Sequence, residues 1–460
     1  MKIPESFVFD AVVRPPGSKS LTNRALLIAA LADGQTVLDG ALDSEDTRIM
    51  YSALETLGLD VNFDTQNQRI TISGCGGVFP NRKAEIFVGN SGTTARFLTA
   101  ALAIAPGEKN YRITGKPRMY QRPISDLTDA LKQLGANIRT ESPNGCPPVV
   151  IGTSEYDQAD WNTPGSQGRP IVTSVSGAIS SQFLSALMMS APLISSKNDV
   201  VLKITGSLVS VPYVKMTGQI MDSFGVKIDY YDQSLEPQDS FYISTDMKAN
   251  NTAATFTIPQ GSAYVFRQYA IEPDASAASY FFAAAAVRGG KITVLGLSKG
   301  ALQGDVAFVE CLEKMGCKVD YADDSITVHR DPTKPLHGIE VDMNGFSDTV
   351  QTLAVVAFFA NSPTRITNVA HIRHKETDRI AAVAAELRKI GAIVDEFEDG
   401  LEIFPPAERI FAKIETYDDH RMAMSFSLAS LHEPGVEILN PKCVEKTYPN
   451  FFEDMQKLIE

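Results

Sequence analysis

The sequence contains few cysteines and almost no tryptophan. Of its 460 residues, five are cysteine and one is tryptophan. The cysteines form no CxxC pair and no dense framework, so the pattern predicts reduced thiols in a cytoplasmic protein. These residues are Cys75, Cys146, Cys311, Cys317 and Cys443.

Positive charge is also scarce. The chain has 42 Lys and Arg against 55 Asp and Glu, a formal net charge of −13. This balance argues against a nucleic-acid partner. No apolar run reaches about 18 residues without a polar interruption, and the first residues show no basic-then-apolar signal pattern. We therefore expect a cytoplasmic protein that binds neither nucleic acid nor membrane, with anion sites marked by local groups of Lys and Arg.

Several catalytic signatures are missing. Position 12 is Val where a P-loop needs its first Gly, no GxSxG phrase marks a nucleophile elbow, and no glycine fingerprint of the dinucleotide type follows a strand. His371 and His374 are three residues apart, but no second Cys or His cluster accompanies them. We therefore expect neither a metal site nor a cofactor of these types.

One phrase repeats along the chain: a helix that ends in an apolar residue, then Gly, then a strand. A Gly at that place is typical of the residue just after a helix. The intervals between these glycines are 75–91 residues, which indicates a repeated supersecondary unit. The glycines are Gly58, Gly135, Gly225, Gly316 and Gly391.

Each repeat also holds a very apolar helix that begins with a polar phrase. We read six repeats of helix, strand, loop, amphipathic helix, strand, strand, the last truncated after Leu458. We predict that N-terminal residues 2–13 supply the missing strand of that last repeat. The polar stretch 230–268 is expected to bridge repeats three and four. The predicted domains are 1–17 plus 269–460, and 18–268, with three repeats each and an active site in the interdomain cleft.

The first polar phrase precedes the apolar run 25–31 and reads Pro15-Pro16-Gly17-Ser18-Lys19-Ser20-Leu21-Thr22-Asn23-Arg24. A turn that opens a helix exposes backbone N–H groups, and Lys19 and Arg24 add two cations. The alternative is a capped core helix with two solvated bases. Further bases follow strands in residues 115–123, in residues 374–379 and near Lys446. Together they favour a site for substrates that carry several negative charges.

Two carboxylates are the candidates for proton transfer. Asp348 precedes an apolar helical run, where it can accept a proton from a bound hydroxyl or simply cap the helix. Glu376 lies between Lys375 and Arg379, where an ordinary ion pair is the alternative. Asp274 has the same position at a helix start and is a weaker candidate.

Seven phrases in chain order, from residue 15 to residue 449, resemble those of the 5-enolpyruvylshikimate-3-phosphate synthase family. They are Pro16-Gly17-Ser18-Lys19-Ser20 with Asn23-Arg24, Gly89-Asn90-Ser91-Gly92-Thr93 with Arg96, Pro117-Arg118-Met119 with Arg122-Pro123-Ile124, Ile179-Ser180-Ser181-Gln182-Phe183, Lys375-Glu376-Thr377-Asp378-Arg379, Asp419-His420-Arg421-Met422-Ala423 and Lys446-Thr447-Tyr448-Pro449.

The resemblance implies an α/β fold of two similar domains, each of three βαβαββ repeats with buried parallel helices, an inside-out α/β barrel. It implies a monomeric enzyme without a cofactor. Because bases from both halves must reach one pair of ligands, we expect the domains to close on binding. The implied reaction transfers the enolpyruvyl group of phosphoenolpyruvate to the 5-hydroxyl of shikimate 3-phosphate and releases phosphate through a tetrahedral intermediate. This is a step of the shikimate pathway toward chorismate and the aromatic amino acids.

The resemblance also assigns roles to residues. Asp348 would take the hydroxyl proton, and Glu376, with Lys19, would protonate the enol methylene. The shikimate 3-phosphate site would consist of Lys19, Ser20, Arg24, Ser180, Ser181, Gln182, Ser210, Asp348, His371 and Lys375. The phosphoenolpyruvate site would consist of Lys19, Asn90, Gly92, Arg122, Gln182, Arg379, Arg421 and Lys446.

Two positions depart from the family pattern. His371 stands where many relatives carry Asn, and Phe97 stands where many carry Pro after Arg96. The nearest alternative is the sister enolpyruvyl transferase that acts on UDP-N-acetylglucosamine, which uses a Cys on a loop of its first half. The corresponding residues 116–122 contain no Cys. A non-catalytic anion-binding scaffold of six repeats is the alternative from another class.

Overall fold

The computed structural model describes residues 7–153, 168–232 and 254–459. The chain divides into two compact units, Met1–Ser18 with Glu272–Glu460, and Lys19–Ile271. We call them the discontinuous unit and the continuous unit. None of the described helices has the length and apolar character needed to cross a membrane.

Helices and strands alternate along the described chain. The strands are β1 (Phe9–Val13), β2 (Asp33–Asp39), β3 (Val61–Asp64), β4 (Arg69–Cys75), β5 (Lys83–Phe87), β6 (Asn110–Thr114), β7 (Ile138–Thr140), β8 (Val149–Gly152), β9 (Ile171–Ser176), β10 (Val200–Thr205), β11 (Asp229–Asp232), β12 (Ala254–Ile258), β13 (Gln268–Ala270), β14 (Gly290–Leu295), β15 (Lys318–Tyr321), β16 (Ser325–Arg330), β17 (Glu340–Asp342), β18 (Thr364–Thr367), β19 (Ile393–Phe397), β20 (Gly400–Phe404), β21 (Ala412–Ile414) and β22 (Val436–Ile438).

The α-helices are α1 (Lys19–Leu31), α2 (Glu45–Thr56), α3 (Gly92–Ile104), α4 (Ser125–Gln133), α5 (Ser181–Ser190), α6 (Val211–Ser223), α7 (Ala275–Arg288), α8 (Phe308–Lys314), α9 (Val350–Phe358), α10 (Arg379–Lys389), α11 (His420–Ser427) and α12 (Phe451–Lys457). Short 3-10 helices cover Pro117–Gln121, Ala191–Ile194, Gly304–Ala307, Asn344–Thr349, Ala370–His374, Leu428–Leu431 and Pro441–Lys446.

The repeat is a βαβαββ unit, which confirms the predicted fold class. In β5-α3-β6-α4-β7-β8 the sheet order is β5-β6-β8-β7. β5 and β6 are parallel, whereas β8 is antiparallel to both of its neighbours. The same order recurs as β9-β10-β12-β11 and as β17-β18-β20-β19. A helical crossover is required between the parallel strands, which explains the regular alternation seen in the sequence.

The N-terminal strand does not complete the last repeat, so that prediction is wrong. β1 is parallel to β14 and is an edge strand of the sheet β1-β14-β16-β15. This sheet belongs to the repeat that contains α7. The physical reason is that each repeat begins with a strand that lies parallel to its second strand. In the last repeat, β21 and β22 form a two-stranded parallel sheet.

The stretch 230–268 is also not simply a bridge. Residues 233–253 lie outside the described part of the chain. β12 joins the sheet of the third repeat, antiparallel to β10 and β11. β13 lies parallel to β2 and supplies the first strand of the first repeat. Both strands therefore belong to sheets of the continuous unit.

The five repeated glycines adopt the backbone conformation that the sequence predicted. Their φ angles lie between +82° and +107°, in the left-handed region where a side chain would be strained. Each follows an amphipathic helix and turns the chain into the next strand or loop. A glycine with a positive φ angle therefore ends a helix at five equivalent positions in the repeats.

The apolar helices that begin with polar phrases form the core of each unit. All residues of α3, α7 and α9 are buried. In the discontinuous unit, hydroxyl groups connect three of these helices: Ser279 Oγ lies 3.2 Å from Thr352 Oγ1, which lies 3.3 Å from Ser425 Oγ. These apolar helices therefore pack closely against one another, and the packing fixes the positions of the polar residues at their N-terminal ends.

Candidate functional site

The candidate proton-transfer groups lie in a buried set of charges in the discontinuous unit, which we call the charge cluster. It contains three acids and three bases, and none of their side chains is more than 13% exposed. Buried charges are costly unless they are paired, so each group depends on the others. The members are Asp348, Glu376, Arg379, Asp419, Arg421 and Lys446.

Asp348 lies in the 3-10 helix Asn344–Thr349, just before α9. Its Oδ1 accepts a hydrogen bond from Arg379 at 3.0 Å, and its Oδ2 accepts one from Arg421 at 2.7 Å. The cap residue of α9 is Thr349, not Asp348. The capping interpretation of Asp348 is therefore wrong, and its carboxylate lies between two guanidinium groups.

Glu376 is held by two cations in the same way. Its Oε1 accepts a hydrogen bond from Lys446 Nζ at 2.8 Å, and its Oε2 accepts one from Arg379 at 2.9 Å. The predicted pairing with Arg379 is therefore present. The pairing with Lys446, 70 residues away in sequence, was not predictable from local spacing.

Arg379 connects the whole charge cluster. Its Nε donates to Asp419 Oδ2 at 2.9 Å, and its two terminal nitrogens donate to Asp348 and Glu376. Burial alone would lower the pKa of Arg379, but the three carboxylates raise it above its ordinary value. Asp419 also caps α11 by accepting from the Arg421 N–H at 2.9 Å. Helix α11 thereby positions both Asp419 and Arg421.

Two buried histidines adjoin the charge cluster. Burial lowers the pKa of His371 to about 3, and the neighbouring Lys375 adds to the effect. Its Nε2 and Ser347 Oγ form a hydrogen bond of 2.9 Å. Burial, followed by the charge of Arg421, also lowers the pKa of His420. Both imidazoles are therefore neutral near pH 7.

Asp305 is a further buried acid beside Asp348. Burial raises its pKa to about 6, and the negative charge of Asp348 is the next cause. Its carboxylate is hydrogen-bonded to the Ser276 hydroxyl, which lies 3.4 Å from an Arg421 nitrogen. Burial is thus the main reason that Asp305 holds its proton more tightly than a solvated carboxyl does.

In the continuous unit, two buried arginines surround Gly92 at the start of α3. One Arg122 nitrogen donates to the Asn90 carbonyl at 2.9 Å and to Asn90 Oδ1 at 3.3 Å. One Arg96 nitrogen donates to Gln182 Oε1 at 3.2 Å and to the Gly92 carbonyl at 3.1 Å. A Cβ on Gly92 would lie 2.4 Å from Arg122 and 2.5 Å from Arg96. Only glycine therefore permits this arrangement, which we call the Gly92 cradle.

Arg24 is completely buried within the continuous unit. Its partners are uncharged: Nε donates to Thr217 Oγ1 at 2.8 Å, and another nitrogen donates to the Ser20 carbonyl at 3.1 Å. Within the described part of the chain, no carboxylate forms an ion pair with it. Burial lowers its pKa to about 10, so it remains charged near pH 7. A buried cation without a carboxylate partner is suited to an anionic ligand.

The remaining predicted residues lie at helix starts or in the turns before them. Lys19, the first residue of α1, forms an ion pair of 3.5 Å with the buried Asp46. Ser180 caps α5 by accepting from the Gln182 N–H at 3.3 Å, and Ser181 is the first residue of that helix. Ser210 precedes α6 with a φ of +52°, a strained conformation for a serine. Lys375 follows the 3-10 helix Ala370–His374.

Some bases and acids noted in the sequence have local structural partners instead. Lys116 is ion-paired with Glu45 at 2.8 Å, and Arg118 donates to Gln121 at 2.9 Å. Asp274 caps α7 by accepting from the Ala277 N–H at 2.8 Å. The structural interpretation therefore suits these three residues. Among the described residues there is no group of three His, Cys, Asp or Glu that could hold a metal.

The sequence pattern alone assigns no role to three important residues. Arg96 was seen only as part of a phrase, yet it connects Gly92 with Gln182. Asp46 and Asp419 are the buried partners of Lys19 and Arg379. For Asp419 the signal was its place at the start of an apolar helix, and Asp46 offered no signal of this kind.

Comparison with solved structures identifies the fold. The EPSP synthase of Acinetobacter baumannii superposes with a TM-score of 0.73 at 23% identity, covering 99% of this chain and 97% of that chain. The enolpyruvyl transferase NikO of Streptomyces tendae superposes with a TM-score of 0.69 at 18% identity, covering 99% and 96%. The chain therefore has the fold of the enolpyruvyl transferases.

Sequence comparison is more specific. The family model of EPSP synthase (3-phosphoshikimate 1-carboxyvinyltransferase) matches residues 8–455. The chloroplastic 3-phosphoshikimate 1-carboxyvinyltransferase of Arabidopsis thaliana is 44% identical over 98% of this chain and 82% of its own length. The enzyme of the same name from Nostoc punctiforme is 43% identical over 98% and 97%. The chain belongs to the EPSP synthase family.

Proposed function

We propose that this protein transfers the enolpyruvyl group of phosphoenolpyruvate to the 5-hydroxyl of shikimate 3-phosphate and releases inorganic phosphate. Family membership supports the reaction. The observation that carries the site assignment is the charge cluster, in which each candidate carboxylate lies between two cations. These cations can exchange a protein carboxylate for a substrate anion at little cost, because the ion pairs are of the same kind.

We propose that Asp348 is the general base. When a carboxylate or phosphate of phosphoenolpyruvate takes over the guanidiniums of Arg379 and Arg421, the oxygens of Asp348 become available to the 5-hydroxyl. Asp348 then accepts the hydroxyl proton, and the oxygen attacks C2 of the enol. A positioned base of this kind contributes about 10²–10⁴-fold.

We propose that Glu376, with Lys19, protonates the C3 methylene, which becomes a methyl group in the tetrahedral intermediate. A carboxylate that loses its cationic partners holds a proton more tightly. An anion that takes over Lys446 and Arg379 would therefore prepare Glu376 to carry the proton. Loss of a methyl proton and of the C2 phosphate then restores the double bond and completes the transfer.

We propose that residues of the two units act on the same pair of substrates, within the predicted domains 1–17 plus 269–460 and 18–268. The Gly92 cradle, together with Lys19, would bind phosphoenolpyruvate along with Arg379, Arg421 and Lys446. Arg24 is the cation suited to shikimate 3-phosphate, because its burial leaves an anion as its favoured partner. The other residues assigned to shikimate 3-phosphate are Ser20, Ser180, Ser181, Gln182, Ser210, His371 and Lys375.

We propose that the enzyme works in the cytoplasm as a monomer. All five cysteines are free thiols in the structure, which suits a reducing compartment. The net charge of −13 suits a protein whose ligands are small anions held by local cations rather than a polyanion.

The test of these roles is a pair of isosteric variants, Asp348→Asn and Glu376→Gln, assayed for phosphate release and for solvent deuterium in the enolpyruvyl methylene group. We expect both variants to lose turnover by about 10²-fold or more. Asp320→Asn, which changes an exposed carboxylate paired with Lys318, is the control and should keep full activity. Full turnover and deuterium incorporation in either active-site variant would refute its role.

A further inference from the structure

A cavity of about 450 Å³ lies in the discontinuous unit, away from the charge cluster. It is formed where the last turns of α7 and α9 meet the loop after β16, the loop between β20 and β21, and His432. The charge cluster lies at the opposite ends of these helices, since Asp348 precedes α9. A 14-residue helix such as α7 is about 21 Å long at 1.5 Å per residue, which separates the two sites.

The charged residues of the cavity wall are basic. Arg330, Lys334 and Arg409 line it together with His432, and no Asp or Glu is among the described residues of the wall. In a chain with a net charge of −13, a wall of this composition is unusual. An electropositive concave surface favours an anionic ligand.

Part of this basic wall has a structural explanation. Arg330 donates to the Val287 carbonyl at 3.0 Å, and His432 Nε2 donates to the same carbonyl at 3.0 Å. Arg288 donates to His432 Nδ1 at 3.1 Å. Arg330 and His432 thus satisfy the Val287 carbonyl at the end of α7, a common use of basic residues. Burial lowers the pKa of His432, and the charges of Arg288, Arg409 and Arg330 keep it neutral.

Lys334 and Arg409 are not explained in this way. Both are exposed at the cavity, and among residues 7–153, 168–232 and 254–459 neither forms a close ion pair. The nearby Asp331 carboxylate acts on Lys334 through its charge only, and it accepts hydrogen bonds from Thr333 instead. Neither forms a helix cap. Two cations without such partners at the mouth of a concave, basic cavity have the chemistry of an anion clamp.

The cavity also offers a flat surface. The Arg409 guanidinium lies 5.4 Å from the centroid of the Phe359 ring, and the His432 ring lies 5.3 Å from the same ring. Pro332, Pro335 and Pro406 add apolar wall. Arg409 and His432 already contact the Phe359 ring, so a planar ligand would pack on the proline wall beside that ring while its charged group meets the cations.

We propose that this cavity is a binding site, distinct from the substrate site, for a small organic anion that carries a carboxylate or phosphate on a flat, unsaturated ring. Lys334 and Arg409 bind the anionic group, and the Phe359 side of the cavity packs against the ring. Arg330 and His432 form the fixed wall behind it.

The test uses methyl NMR of the full-length protein, with benzoate as the probe. Val287 and Leu336 line the cavity, so their methyl resonances report binding there and not at the substrate site. We expect benzoate to shift both resonances in a saturable manner. We expect inorganic phosphate to bind more weakly because it lacks a ring, and benzylamine, a cation of similar shape, not to bind.

The variant is Lys334→Gln/Arg409→Gln, which removes two exposed charges outside the proposed substrate site. We expect benzoate to bind about tenfold more weakly, with phosphate release from phosphoenolpyruvate unchanged. The control Lys299→Gln/Arg365→Gln also removes two cations. Both lie over aromatic rings, at 5.6 and 3.4 Å, as Arg409 does. It should bind benzoate as the wild type does.

Three results would overturn the proposal. One is no shift of the Val287 and Leu336 methyls with benzoate. The second is equal affinity of the double variant and the wild type. The third is an affinity for benzylamine or inorganic phosphate that equals the affinity for benzoate. Equal binding of benzylamine would show that the negative charge is not recognised, and equal binding of phosphate would show that the ring is not recognised.

Discussion

Gly92 shows how one residue can determine the geometry of a charged site. Two guanidiniums occupy the space that a side chain would need. The atoms that a Cβ would meet are the ends of flexible arginine side chains, so Gly92→Ala should displace Arg122 and Arg96 rather than unfold the protein. The sequence phrase predicts that Gly92 belongs to the site, but it does not reveal that two guanidiniums occupy the space of a side chain there.

We expect Gly92→Ala to raise the KM for phosphoenolpyruvate about tenfold or more, since a displaced arginine loses a charge-assisted contact of about 1.5–3 kcal/mol. The KM for shikimate 3-phosphate and the melting temperature should change little. Steady-state kinetics with each substrate varied in turn measures this. Gly300→Ala is the control, because a Cβ there meets nothing closer than 3.8 Å. An unchanged KM for phosphoenolpyruvate would show that the Gly92 cradle is not part of the phosphoenolpyruvate site.

His371 predicts a particular dependence of stability on pH. Its pKa is lowered from 6.5 to about 3 in the folded protein. Below pH 6.5 the unfolded chain binds a proton that the folded protein does not, so stability is lost as the pH falls from about 6.5 toward 3. The loss from this residue should be about 3 kcal/mol by pH 4.

The measurement is chemical denaturation of the wild type and His371→Asn between pH 7 and pH 4. Asn cannot titrate, so the variant should lose less stability toward acid than the wild type. Asp305 acts in the opposite sense, because its pKa is raised to about 6 and its protonation stabilises the fold. The difference between the two proteins isolates His371, and parallel curves would contradict the assignment.

At the scale of elements, the turn before α11 is strained. Tyr417 and Asp418 both have positive φ angles, +54° and +55°, which are unfavourable for residues other than glycine. The Tyr417 hydroxyl donates to the buried Glu386 at 2.6 Å, and the Glu415 N–H donates to the same carboxylate at 3.0 Å. Helix α10 therefore holds the turn that delivers Asp419 and Arg421.

We expect Tyr417→Phe to weaken this hold without removing the ring. The KM for phosphoenolpyruvate should rise by about three- to tenfold, because Arg421 loses its fixed position. The hydrogen bond removed, from the Tyr417 hydroxyl to the charged Glu386, is of a kind worth about 1.5–3 kcal/mol. Kinetics and thermal melting of the variant would test this. Tyr231→Phe, in strand β11 of the continuous unit, is a matched control that should leave the KM unchanged. A variant that melts lower but keeps its KM would show a structural role only.

The repeat could be predicted from the sequence, whereas its strand pairing could not. Gly58 and its four equivalents mark helix ends by a local rule, and the apolar runs mark buried helices. β1 pairs with β14, a strand far away in the sequence. Nothing in residues 9–13 distinguishes β14 from the strands of the last repeat as a partner. Likewise the spacing of Glu376 and Arg379 predicted one ion pair, but Lys446 is brought in only by the fold.

At the scale of the whole molecule, the proposed reaction uses residues of both units. The charge cluster belongs to the discontinuous unit, and the Gly92 cradle and Arg24 belong to the continuous unit. The acceptor distinguishes this reaction from that of the sister transferase. Arg24, Ser180, Ser181 and Gln182 are the residues proposed for an acceptor phosphate, and residues 115–123 contain no cysteine.

The most direct test is the release of phosphate from phosphoenolpyruvate, measured with either shikimate 3-phosphate or UDP-N-acetylglucosamine as the acceptor. We expect release that depends on shikimate 3-phosphate and is absent with the sugar nucleotide. Release with the sugar nucleotide alone would make the acceptor assignments wrong. Release with neither acceptor would contradict the catalytic role of Asp348 and Glu376 and leave the charge cluster as a binding site only.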